Sequence, residues 1–171
     1  RLARRMKTLD PKLTTVVGGG YVNTEWRDLT EPRVFDDFDF VTYDDGEIPL
    51  LRILERVIRR RPTDPLVRTR RRQRGRVTWH DDPQAPVLHH RDRAAPDLSP
   101  VRTAGYLAMS ESPNPMHRLW SERRWLKLAL AHGCYWHRCT FCDTSLDYIK
   151  RFDPADAETV VGWMETAMAQ T

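Results

Sequence analysis

"FDFVTYDDGEIPLLRILERVIRR", residues 38–60, changes its hydrophobic period halfway along. Phe40–Tyr43 is a β-branched and aromatic run, the composition of a strand. Asp44–Gly46 is turn chemistry. From there Ile48, Leu51, Ile53, Leu54, Val57 and Ile58 mark out one face of a helix, and Pro49 falls in its first turn, where proline is tolerated. The same order stands upstream. "LTTVVGGG", residues 13–20, reads as a buried strand running into a tight glycine loop, and "NTEWRDL", residues 23–29, reads as a short helix with Asn23 as its N-cap. Residues 2–8 read as the last turns of a basic helix. Strand–helix–strand–helix with short connections predicts parallel pairing in an α/β fold of the doubly wound kind.

Beyond residue 60 the pattern changes. Residues 61–115 are rich in proline and poor in apolar runs, and read as a linker between residues 1–60 and 116–171. Within it, "VRTRRRQRGRVTWH", residues 67–80, is a candidate hairpin turning at Gln73–Gly75. The chain carries a net charge of +4, and most of the excess lies in residues 59–76. Such a run reads first as a solvated hairpin or linker and second as a phosphate-binding arm. No apolar run approaches the roughly 18 residues that span a bilayer, so no membrane partner is expected. The chain starts at Arg1 and stops at Thr171 without terminal signatures, and is expected to be an internal fragment of a longer protein.

The C-terminal part opens with Trp125–Ala131, a strand-like run feeding "GCYWHRCTFCDTSLDYIKR", residues 133–151, which contains all three cysteines of the chain. The spacing is Cys134-x4-Cys139-x2-Cys142. An odd, clustered cysteine count argues against a secreted disulfide framework and for a metal site in a reducing, cytoplasmic setting. Thiolates are soft ligands for zinc, copper(I) or iron–sulfur clusters. Three on one loop can hold three corners of a cubane and leave one iron open. With His132 or His137 as a fourth ligand they can instead close a tetrahedral zinc site, and a zinc module with a basic nucleic-acid arm is the second reading. After the loop, "DPADAETVVGWMETAMAQ", residues 153–170, reads as a helix with Asp153 as N-cap, Pro154 at its first position, and Val160, Val161, Met164 and Met168 on one face.

A strand ending in "AHGCYWHRCTFCD" resembles the cluster loop of the radical S-adenosylmethionine superfamily. The longer string from Met116 to Pro154 resembles the branch that carries a cobalamin-binding domain in front. "VVGGGYVNTE" and "FVTYDDGEIPLLRILE" resemble the last two strand–loop units of that domain. The first two cysteines here enclose four residues where three is the commonest spacing. An Asp-x-His-x-x-Gly cobalamin-ligand segment does not occur between residues 1 and 171, nor does a Gly-Gly-Glu segment after the cysteines.

The resemblance implies a cobalamin-binding type sheet in residues 1–60 and the first strand–loop–helix unit of a partial (β/α) barrel in residues 116–171. It implies that Cys134, Cys139 and Cys142 hold a 4Fe–4S cluster whose open iron binds S-adenosylmethionine. Reductive cleavage of that cofactor yields a 5′-deoxyadenosyl radical. Phe141 is implied beside the adenine, and simple packing of the loop accounts for it equally. Gly18, Gly19 and Gly20, with Asp45, Gly46 and Glu47, are implied as a wall of a cobalamin-tail pocket; an ordinary tight strand–helix turn is the reading the glycines favour by themselves. His132, Tyr135, Trp136, His137 and Arg138 are expected to surround the cluster or pack the loop, and Asp143, Asp147 and Tyr148 to line the cavity or cap the loop. The implied partners are a flavodoxin or ferredoxin as reductant and a small-molecule or macromolecular substrate that the sequence does not name. On this reading nucleic acid is not an expected partner, and this stretch of chain alone is expected to be inactive.

Overall fold

The computed structural model describes residues 1–59, 65–101 and 127–170. The chain is α/β and divides into two compact units, Arg1–Leu88 and His89–Thr171.

The first unit is built on a mixed sheet in the order β1 (Val16–Val17), β2 (Phe40–Thr42), β3 (Thr69–Gln73), β4 (Arg76–His80). β1 and β2 are parallel, with Val16 opposite Phe40 and Val17 opposite Val41. β2 pairs antiparallel with β3, and β3 with β4, so the basic hairpin extends this sheet rather than standing off in a linker. Its two-residue turn, Arg74–Gly75, has φ of 49° and 78°, the twist that lets a tight hairpin follow its strands.

Side chains alternate across the sheet, and each face has its own core. Val41 and Tyr43 pack with Val22, Leu29 and Phe35 on one face; Phe40 packs with Ile53 and Leu66 on the other. α2 (Gly20–Glu25) and a tight helical turn at Pro32–Asp36 serve the first face. α3 (Glu47–Val57) serves the second, but only Pro49 and Ile53 are buried on it. Leu51, Leu54, Val57 and Ile58, expected on the packed face, are exposed. α1 (Leu2–Leu9) is tied down by charge: Arg4 binds Asp37 through two contacts of 2.8 and 2.9 Å, and Lys7 reaches Asp39 at 2.8 Å.

Asn23 is not an N-cap. α2 starts earlier, with Gly19 at its N-cap in a positive-φ conformation that suits glycine. Asn23 is 4% exposed within α2, and its side-chain oxygen accepts the Asp44 amide at 2.7 Å. Arg27 pairs with the Asp44 carboxylate. The loop after β2 is thereby pinned to the helix after β1.

In the second unit β5 (Ala131–His132) pairs antiparallel with β6 (Asp153–Pro154). Trp125 and Leu126 lie outside the described residues, and of the expected strand only Ala131 falls within β5, with the Leu130 carbonyl accepting the Ala155 amide at 3.0 Å beside it. α4 (Asp147–Lys150) precedes β6 and α5 (Ala157–Ala169) follows it. The cap of α5 is Asp156, which accepts the Thr159 amide at 2.9 Å. Asp153 and Pro154 are strand residues instead, and the Asp153 carboxylate accepts the His90 amide at 2.9 Å. The buried face of α5 is Trp163 and Ala167, while Val161, Met164 and Met168 are exposed. The larger indole takes the core position by meeting the His90 ring edge-on at 5.3 Å. Among the described residues, no helix is long and apolar enough to cross a membrane.

Replacing Asn23 with alanine leaves the half-buried Asp44 amide without its acceptor. The Asn23→Ala chain is expected to lose about 1–3 kcal/mol, read as a lower urea midpoint with an unchanged m-value.

Candidate metal and cofactor sites

The cysteine loop joins β5 to β6 and is closed at its base by backbone groups. The Ile149 carbonyl accepts the Cys134 amide at 3.1 Å and the His137 Nε2–H at 2.7 Å. Gly133 has φ of 81°, and a Cβ there would lie 1.7 Å from the Arg151 carbonyl oxygen. Only glycine fits this crossing.

Within the loop the Cys142 amide donates to the Cys139 carbonyl at 3.3 Å, a turn that brings the second and third cysteines of the motif round on one another. All three cysteines are unpaired and half-buried. The His137 and Trp136 amides donate to Cys134 Sγ, the latter at 3.4 Å, and hold the Cys134 thiol below its ordinary pKa. Backbone donors aimed at sulfur favour the thiolate, the form that binds metal. Asp143 caps the next turn, accepting the Ser145 amide at 3.0 Å and its hydroxyl at 2.6 Å. The side chains of Asp147 and Tyr148 lie outside the described ones.

The aromatic residues sit on the outside of the loop. Phe141 is 91% exposed, and Tyr135 and Trp136 are exposed too. Tyr135 meets Phe152 edge-on and Arg138 lies over the Trp136 ring. Among the described residues, no three His, Cys, Asp or Glu side chains gather as ligands of one metal ion. Three free thiols on one closed loop supply the donor chemistry of a cubane, which takes one thiolate per iron, or of zinc when a histidine joins them.

Gly18–Gly20 and Asp45–Glu47 belong to the first unit. They follow the carboxyl ends of β1 and β2, adjacent parallel strands, and so share one edge of the sheet, where open α/β sheets hold ligands. The three glycines differ. A Cβ on Gly18 would lie 2.5 Å from the Thr42 hydroxyl; Gly19 has φ of 94°; Gly20 has open space around it, as does Gly46. The Asp45 carbonyl accepts Arg68 Nη2 at 3.2 Å.

Sequence reasoning did not find the support beneath the cysteine loop. His90 is buried, its Nε2 bonds the Ala129 carbonyl at 2.8 Å, and its amide holds Asp153. These contacts fix both strands that carry the loop. The pair His89–His90 is the signal that could have drawn attention to it. Comparison of the chain with family models, with curated proteins and with solved structures found no match.

Two outcomes follow from the loop's base. Gly133→Ala should open it, read as faster hydrogen exchange at the Cys134 amide, while the first unit's unfolding is unchanged. Alkylation of Cys134 in the metal-free chain should reach its half-maximum at lower pH in the folded protein than in urea. The folded thiol pKa is the depressed one, so the reactive thiolate forms earlier as pH rises.

Proposed function

We propose that this chain is part of a radical S-adenosylmethionine enzyme, with Cys134, Cys139 and Cys142 as the ligands of a 4Fe–4S cluster. The observation that carries the reading is the loop itself: three unpaired thiols within nine positions, closed at the base on the Ile149 carbonyl and an obligatory glycine. When bound, the cluster with S-adenosylmethionine on its open iron supplies the electron that breaks a carbon–sulfur bond and starts radical chemistry.

The chain's own residues prepare the place. The amides of Trp136 and His137 favour the charged form of Cys134 before any metal arrives. Donors of this kind to a ligating sulfur also tune a cluster's potential. His137 holds the loop shut through Ile149 and has committed its Nε2 there, which leaves it poorly placed to serve as a fourth ligand through that atom. Phe141 stands exposed beside Cys142, free to cover an adenine. With Tyr135 and Trp136 it supplies apolar surface to exclude water once a cofactor is seated.

In the first unit the parallel β1–β2 pair, with both following loops at one edge, supports a sheet of the cobalamin-binding type. The antiparallel β3–β4 hairpin is an addition to it. On this reading cobalamin would lie against Gly18–Gly20 and Asp45–Glu47. The reductant is of the flavodoxin or ferredoxin class.

The test is anaerobic reconstitution of the chain with iron and sulfide, followed by Mössbauer spectroscopy. A cubane signal is expected in the wild type and its loss in Cys139→Ala, because the chain has no other cysteine to replace the missing ligand. The first unit should keep its thermal unfolding in that variant. Stoichiometric zinc without iron, or a cubane that survives Cys139→Ala, would remove the reading.

A further inference from the structure

The basic stretch that the cluster reading leaves unused is divided by the hairpin into two unlike faces. Arg70 and Arg72 point to one side and are engaged there. Arg70 donates to the Arg27 and Leu29 carbonyls at 2.8 and 3.2 Å and lies over Tyr43 and Trp79. Arg72 binds Asp36 at 2.6 Å and the Pro32 and Phe35 carbonyls. Arg71 points to the other side. Its guanidinium lies 5.7 Å from the Phe40 ring centroid and, among the described residues, has no hydrogen bond or ion pair.

Burial first, and then the nearby Arg56, lower the pKa of Arg71. His80, on the adjacent strand and the same face, is also lowered, by burial and by Arg71 and Arg56, and its Nε2 lies 3.0 Å from the Thr78 hydroxyl. Arg71 is therefore a half-buried guanidinium with like charge near it and, among the described residues, no counter-ion. Such an arrangement is costly unless an anion completes it.

Arg71 also lines a cleft of about 350 Å3 walled by Phe38, Phe40 and Val57. The cleft's other charges are already neutralised: Asp39 is held by Lys7 and the Thr15 amide, and Arg72 by Asp36. Arg71 is the charge left over. The cleft sits beside Thr14 and Phe38–Phe40, at the amino ends of β1 and β2, the opposite edge of the sheet from Gly18–Gly20. Its volume suits a small organic ligand.

We infer that this cleft binds a small organic phosphate ester, with the phosphate on Arg71 and the organic part against Phe38 and Phe40. A planar guanidinium offers a phosphate two parallel donors, and stacking on Phe40 has already fixed its plane.

The test is calorimetric titration of the metal-free 171-residue chain with inorganic phosphate and with adenosine monophosphate, so it stands apart from the cysteine loop. Both should bind, the nucleotide more tightly, with a shallow salt dependence corresponding to about one or two ions. Arg71→Gln should weaken both by roughly ten-fold or more. Arg74→Gln, at the exposed hairpin turn, should change neither. Should Arg71→Gln unfold, Arg71→Lys keeps the charge without the paired donors and should still cost several-fold. Absence of binding by either probe, equal losses in the Arg71 and Arg74 variants, or full affinity in Arg71→Lys with Arg71→Gln folded and unimpaired would overturn the assignment. So would preferential binding of single-stranded RNA that strengthens with length and collapses with salt, since that is attraction to a polymer.

Discussion

The pairing of β2 on both of its edges is the constraint on which the first unit rests. Phe40, Val41, Thr42 and the following Tyr43 are all buried. A strand buried on both faces needs apolar cover on each side, and one with a neighbour on each edge has no backbone group left for water. The rest of the unit meets those demands. α2 and the Pro32–Asp36 turn cover one face, α3 the other, β1 fills one edge and the hairpin fills the second. The two loops at the carboxyl edge and the cleft at the amino edge are what remains once β2 has been enclosed.

The second unit is organised differently. Its strands are two residues each and could not hold a long loop by ladder bonds alone. Closure comes from the Ile149 carbonyl, from the close crossing of Gly133 over Arg151, and from His90, which bonds one strand's approach through its ring and the other strand through its amide. The cysteine loop is thus held at its base and free at its rim, where the aromatic residues stand. A fixed base with an open rim is the arrangement a site needs when its ligand must enter from solvent.

How far the sequence could be read follows from the kind of interaction involved. The change of period at Asp44–Gly46 and the turn residues at Arg74–Gly75 are local signals, and the strands, helices and hairpin they announce are present. The partner of the hairpin was not legible, because pairing with β2 is decided by which edge is left open. Asn23 and Asp153 carry ordinary cap chemistry, yet each is used to hold a distant amide. On α5 the apolar residues offer more than one face, and Trp163 decides it through a histidine more than seventy positions upstream. The cysteine spacing was visible at once; the closure of its loop was not, because a backbone carbonyl leaves no mark in a sequence.

The two-residue turn of the hairpin has a consequence for how this chain can vary. Its neighbours Arg70, Arg71 and Arg72 are chemically identical, so their different employments come from parity alone. Substituting one for another changes nothing at that level. Inserting or deleting a single residue in β3 would exchange them all: the side chains that hold backbone carbonyls would swing to the cleft, and the one facing the cleft would be turned onto the carbonyls. Among descendants of this sequence the stretch should therefore tolerate the exchange of a single side chain better than any change in its length.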